Sequence, residues 1–209
     1  MIAEAKIDVL FSTPTAENET PQIHLEARFP SQLSHSFTGK NVEDVCAQIP
    51  LLYSICGAAQ GYCAVKTCET ALSQQISNSI SETDKARSLI VHAEKAKEYI
   101  FRLLMDLKVH TSDSVHLKKF VPVTKWRKDL EIALFGNQLP FTLWALPEID
   151  VAKALQIISE ITDYIHHEIF DEYPNFWLMI DDIDYFNRWI CSSQSIAALL
   201  LRHYKNENL

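Results

Sequence analysis

The amino-acid sequence predicts a mainly α protein: a helical bundle with a small β-hairpin at its N-terminus. Three observations carry this. Apolar residues recur at helical spacing through most of the chain after residue 40. Strand-like alternation is confined to the first forty residues. Pro30, Pro122, Gly136 and Pro174 punctuate the periodic runs. At 209 residues, with 47% hydrophobic and 22% charged, the chain is long enough to enclose a core. We read it as a single domain, residues 1–209, in which 1–40 form a β and loop element and 41–209 the bundle.

Taken in order, Ile7 to Phe11 has β character, and Ile23 to Phe29 alternates apolar and polar residues as a half-buried strand does. Ser12 to Pro21 reads as the connecting turn, and Pro30 ends the second run. Asn41 is a candidate cap, with Glu43 and Asp44 in the first helical turn. Pro50 either interrupts that helix or begins the next. From Leu51 to about Ile76 the chain reads as one long helix. A further helix runs from Lys85 to Leu107, behind cap candidates at Ser81 to Asp84. Residues 109–123 are polar and irregular. Thr124 to Phe135 is helical and stops at Gly136. Pro140 and Pro147 bracket a short segment holding Trp144. The last two expected helices span Ile149–Phe170 and Ile183–Tyr204, with a frayed end.

Composition excludes several functions. The formal net charge is −8, the wrong sign for general binding to a phosphate backbone. The local group Lys118, Lys119, Lys125, Arg127 and Lys128 reads as a solvated turn and helix start, so nucleic acid is not an expected partner. No apolar run reaches the roughly 18–20 residues that span a bilayer, so membrane insertion is not expected. Charge at Glu4 and Lys6 argues against a secretory signal, which points to the cytoplasm. The cysteine count is five, an odd number that argues against a disulfide framework. Four of them, Cys46, Cys56, Cys63 and Cys68, cluster.

Within that cluster, Gly57 and Gly61 are four apart and share a helix face, at a cost of about 1 kcal/mol each relative to alanine. Two such losses on one face imply close approach of another backbone or helix. Cys56 and Cys63 are seven apart, about 10 Å along a regular helix axis. That is too far for both to bind one ion with bonds of about 2.3 Å. Cys56 and Gln60, four apart, can face one small ligand. The alternative reading for the cysteines is a small, buried core residue. His166-His167-Glu168, with Asp163, lacks the histidine pair at i and i+4 of a zinc motif and reads as an exposed helix face. His92 and Glu94 read as helix surface or interhelix hydrogen bonds. Asp181, Asp182 and Asp184 lack the spacing of a calcium loop and read as an acidic helix start.

One segment carries a resemblance. Gly39-Lys40, Asp44, Ser54-Ile55-Cys56-Gly57-Ala58-Ala59-Gln60-Gly61-Tyr62-Cys63 and Glu69-Thr70-Ala71 resemble the N-terminal metal segment of nickel–iron hydrogenase large subunits. The stretch from Ala86-Arg87 through His92-Ala93-Glu94 to Arg102 and Asp106 resembles the helix that follows it there. The departures point away from catalysis. Ser54 stands where that family has arginine, Ala59 where it has its second cysteine, and Cys63 where it has histidine. The C-terminal cysteine motif is missing, and Cys191 sits in Trp189-Ile190-Cys191-Ser192-Ser193. The catalytic cluster needs four thiolates to hold nickel and iron, and at most one is in place. Residues 37–107 are more similar to the HupK/HoxV family of hydrogenase maturation proteins, degenerate relatives of the large subunit.

That resemblance implies a reduced large-subunit-like bundle and a non-catalytic accessory or scaffold role in hydrogenase maturation. It implies Cys56 as the candidate iron ligand and Cys63 as a second candidate, with Gly57, Gln60 and Gly61 in packing or interaction. The expected cofactor is an iron–cyanide–carbonyl unit held transiently, or none. The expected partners are the hydrogenase large-subunit precursor or other maturation proteins. The rival expectation is a metal-free helical interaction module that kept the fold.

Overall fold

The structure, a computed structural model, describes residues 6–12, 22–28, 35–73, 81–111 and 118–206. It divides into two compact units, Met1–Asn41 and Val42–Leu209. The division falls where the sequence passes from strand and loop to helix. Phe29, Pro30, most of the Ser12–Pro21 turn and the expected frayed end lie outside the described residues.

The first unit is a two-stranded antiparallel hairpin of β1 (Lys6–Ser12) and β2 (Gln22–Arg28). Its register pairs Lys6 with Arg28, Val9 with Leu25 and Ser12 with Gln22. Alternation therefore puts Ile7, Val9, Phe11, Ile23, Leu25 and Ala27 on one face. The opposite face is largely polar, with Lys6 paired to Asp8 at 2.9 Å.

The second unit is helical. It begins with α1 (Val42–Leu52) and α2 (Gly57–Leu72). The single helix expected from Leu51 onward is thus broken at Tyr53 to Cys56. Pro50 lies in the last turn of α1, where it withdraws an N–H from the helical ladder. The chain then folds back, because the small residues Gly57, Ala58, Gly61 and Val65 make a buried face on α2 that packs on α1. The helix α3 (Glu82–Thr111) starts at Ser81, whose hydroxyl accepts the Asp84 N–H at 3.0 Å. A 3-10 turn (Pro122–Lys125) precedes α4 (Trp126–Phe135). Gly136 stops α4 with φ +58° and its N–H on the Ile132 carbonyl at 2.9 Å.

Asp150 caps α5 (Val151–Tyr164) by accepting the Lys153 N–H at 3.0 Å. A π turn, Ile165–Phe170, follows in place of a regular helical end, and Asp171 closes it in the left-handed conformation, φ +56°. The wider π turn swings His166 inward to stack on Tyr173, ring centroids 3.9 Å apart. The exposed face expected there therefore holds for His167 and Asp163, while His166 and Glu168 are half-buried.

After α6 (Pro174–Trp177), the expected last helix is two, α7 (Ile183–Ser192) and α8 (Ile196–Asn206). Two buried serines make the break. The Ser193 hydroxyl accepts the Ser195 N–H at 3.0 Å, and the Ser195 hydroxyl accepts the Ala198 N–H at 3.3 Å. Asp182 caps α7 on the Asp184 N–H, which makes the acidic run a helix start.

The apolar interior forms two clusters. One gathers Cys46, Val65, Ile90, Leu134 and Phe135 with residues from α1 to α5. The other gathers Leu104, Trp126, Ile169, Trp189 and Ile196 around α7 and α8. No helix among the described residues is long and apolar enough to cross a membrane.

Candidate functional site

Cys56 is the N-cap residue of α2, with non-helical backbone angles of φ −123° and ψ +32°. Its carbonyl accepts the Gln60 N–H at 2.9 Å, and the Gln60 amide reaches the Cys56 sulfur at 3.9 Å. The two residues thus meet on one side of the first turn, with Cys56 half-buried and Gln60 exposed. Cys63 is exposed two turns further on.

Gly57 and Gly61 are both buried against Pro50. A Cβ on Gly57 would strike the Pro50 carbonyl oxygen. One on Gly61 would lie 2.7 Å from Pro50 Cγ and 2.9 Å from Phe141 Cγ. Glycine fits both positions because the Pro50 backbone leaves no room for a side chain at Gly57, and the Pro50 ring and Phe141 leave none at Gly61.

The free N–H groups of a helix start make a ready anion site. Here the anion is supplied from within. The Glu94 carboxylate of α3 accepts the Ala58 N–H at 2.8 Å and the Ala59 N–H at 3.1 Å. Glu94 is buried, and Arg127 of α4 donates to it at 3.0 Å. Arg127 also donates to Glu131 at 2.9 Å. Of the basic group nominated from sequence, Arg127 and Lys128 face Glu131, and Lys119 pairs with Glu168 at 2.6 Å. Three of the five nominated basic residues are thus engaged in ion pairs within the chain.

Two more charged residues of α3 hold α2. Arg87 is fully buried and forks onto both oxygens of Glu69 at 3.1 Å each. It also donates to the Pro140 carbonyl at 2.8 Å and the Thr142 carbonyl at 2.9 Å. Glu69 accepts the Trp144 N–H at 3.0 Å, where Trp144 takes a positive φ of 58°. Asp84 pairs with Lys66 of α2. Burial favours protonation of Asp84, but its hydrogen bonds from Lys66 and Ser81 outweigh that and hold it below the ordinary carboxylate value. On the second cluster, burial and then nearby Glu168 push Tyr164 up to about 12, and its hydroxyl donates to the Lys119 carbonyl at 2.9 Å.

The sequence reading left Glu94 between surface and interhelix bonding, took Asp84 as one of several cap candidates, and gave Arg87 and Glu69 no part beyond the resemblance, whereas Ser81 is the cap and Asp84 pairs with Lys66. Their signal was present. Arg87 and Glu94 are two turns apart and flank Ile90, so they sit beside the apolar stripe and not opposite it.

The donor set around Cys56 limits what it can hold. Among the described residues no three His, Cys, Asp or Glu side chains converge on one point. The Ala58 and Ala59 N–H groups are committed to Glu94. What is left is one thiol with one amide beside it, which fits a single iron–sulfur bond and no chelate. An apolar groove of about 290 Å³ lies between α3 and α5, lined by Leu89, Leu134, Val151, Leu155 and Ile158. It contains none of the residues nominated from sequence.

Fold and site together define a helical protein with an internally capped cysteine turn. Compared with family models, curated proteins and solved structures, the chain matches none.

Proposed function

We propose that this protein is a non-catalytic scaffold of nickel–iron hydrogenase maturation that presents Cys56 at the start of α2. Its partner would be the hydrogenase large-subunit precursor or another maturation factor. The residue pattern over 37–107 supports the maturation setting. The observation that carries the non-catalytic part is Glu94 on the Ala58 and Ala59 N–H groups. It holds the cysteine turn in one shape and fills the positive helix end that a second anionic ligand would need. An iron–cyanide–carbonyl unit, held transiently, would be attached to Cys56 alone, with Gln60 alongside.

The test is infrared spectroscopy on protein purified without oxygen from cells making the hydrogenase precursor. The expected result is cyanide and carbonyl bands that vanish in Cys56→Ala. A second reading, a metal-free interaction module, is favoured by the same closure of the helix end by Glu94 and Arg127. It predicts no bands in the unaltered protein and equal co-purification of the precursor with Cys56→Ala. Failure to recover any hydrogenase component with either form would sink both.

A further inference from the structure

We propose that the open edge of β2 pairs with the same edge of a second copy of this chain, antiparallel and centred on Leu25, to give a continuous four-stranded sheet. Among the described residues β1 and β2 pair only with each other, so each keeps one edge with no strand beside it. Such an edge is a template for another strand unless proline, lysine or a bulge blunts it. The β2 sequence, Gln22–Arg28, contains neither proline nor lysine, and its unbroken register with β1 leaves no bulge. A two-stranded hairpin is marginal by itself, and a sheet gains independent stability from three or more strands that share an apolar face. That face is present and exposed on β2, where Leu25 is 69% and Ile23 61% accessible.

Register selects the occupant. A strand that pairs with its own copy keeps its apolar side chains on one face only if each residue meets one an even number of places away. Centred on Leu25, the pairing uses the whole of β2. Leu25 meets Leu25 of the second copy, Ile23 meets Ala27, and His24 meets Glu26, the last two contacts each made twice by symmetry. Apolar side chains therefore adjoin on one face. On the other, an imidazole stands opposite a carboxylate at two places. The neighbouring registers fail. Centring on His24 sets His24 against itself and leaves Ala27 and Arg28 outside the pairing, and centring on Glu26 sets two carboxylates face to face. The edge of β1 is a poorer match. Centred on Val9, it brings Asp8, which Lys6 already holds at 2.9 Å, against Leu10. The β2 edge thus complements itself in both apolar pattern and charge.

The experiment uses the full chain. Sedimentation equilibrium at about 100 µM, within reach of a modest affinity, is expected to show a dimer. Glu26→Lys takes the carboxylate from opposite His24 at both places and should weaken the dimer about tenfold. Within the hairpin Glu26 stands opposite Asp8, so this exchange removes a like-charge pair there and does not act by unfolding the hairpin. Adding His24→Glu should restore the dimer, because opposite charges again face each other. Register is read by oxidative cross-linking in a chain carrying Cys56→Ala, Cys63→Ala and Cys191→Ala, which leaves Cys46 and Cys68. In that chain Leu25→Cys is expected to give a disulfide-linked dimer, since directly opposed residues lie about 4.5–5.5 Å apart at Cα. Val9→Cys, three strands from its copy, is expected to give none. The proposal is overturned by a monomer at that concentration, by a dimer that Glu26→Lys leaves unchanged or that His24→Glu fails to restore, or by cross-linking of Val9→Cys in place of Leu25→Cys. None of these readouts involves iron or a hydrogenase component, so they stand or fail independently of the maturation role.

Discussion

Arg87 shows at the scale of one residue why a buried charge can be retained. Its four hydrogen bonds draw Glu69, Pro140 and Thr142 to a single guanidinium. Lysine keeps the charge but lacks the planar fork, so it leaves carbonyls or one carboxylate oxygen without a donor. Arg87→Lys should therefore lower the unfolding free energy by about 3 kcal/mol in urea titration. A loss below about 1 kcal/mol would mean the network contributes little. Gly61 presents the opposite constraint, absence of a side chain. Alanine gains about 1 kcal/mol of helix propensity, yet its methyl must displace Pro50 and Phe141. Crowding of this kind costs about 1–3 kcal/mol, and here the obstructing atoms belong to a ring and a buried aromatic. Gly61→Ala should be net destabilising in thermal melts, and a raised melting temperature would refute the close approach.

Between elements, α3 holds α2 at Lys66, Glu69 and the α2 N-terminus through Asp84, Arg87 and Glu94. The Asp84–Lys66 contact makes part of this pH-dependent. Asp84 is held below its ordinary value in the folded state, so its contribution is complete above the unfolded carboxylate range. It disappears as pH falls through the lowered folded value. Lys66 is raised, chiefly by its hydrogen bond to Asp84, so its contribution disappears only as pH rises past the ordinary lysine range. Lys66 is half exposed, and solvent screening limits the pair to about 1 kcal/mol. Lys66→Met should show that deficit in denaturant titrations between about pH 5 and 10 and lose it near pH 2. An undiminished deficit in acid would show that Lys66 acts through packing instead.

Across the helical unit, the two apolar clusters are not independent. The helix α3 supplies Ile90 and Ala93 to the first and Ile100 and Leu104 to the second. The helix α4 supplies Leu130 and Leu134 to the first and Trp126 to the second, and Ile161 of α5 packs on both. Elements shared in this way transmit the loss of one cluster to the other. Three of the four tryptophans lie in the second cluster (Trp126, Trp189) or against it (Trp177), and the fourth, Trp144, is exposed, whereas helical circular dichroism reports on both clusters. Fluorescence and circular dichroism should trace one coincident unfolding curve. Two separated midpoints would show that the clusters melt apart.

The mainly helical class, the hairpin, the stop at Gly136, the acidic start at Asp182 and the need for close approach at Gly57 and Gly61 were all legible in the sequence. Each depends on periodicity or on a backbone preference that acts over a few residues. What the glycines approach, and why the helix breaks before Gly57, was decided by tertiary structure. The small face of α2 is buried only if the chain turns back onto Pro50, and this outweighs local helix propensity. The same holds at Ser193 and Ser195, where two side chains replace lost helical bonds, and at the Ile165–Phe170 turn. Glu94 is the clearest case at the site. A glutamate inside a helical pattern looks solvent-exposed until another helix presents two unpaired N–H groups and an arginine to it. Local spacing marks where a charge lies on its own helix, and only packing determines which charges lose their water.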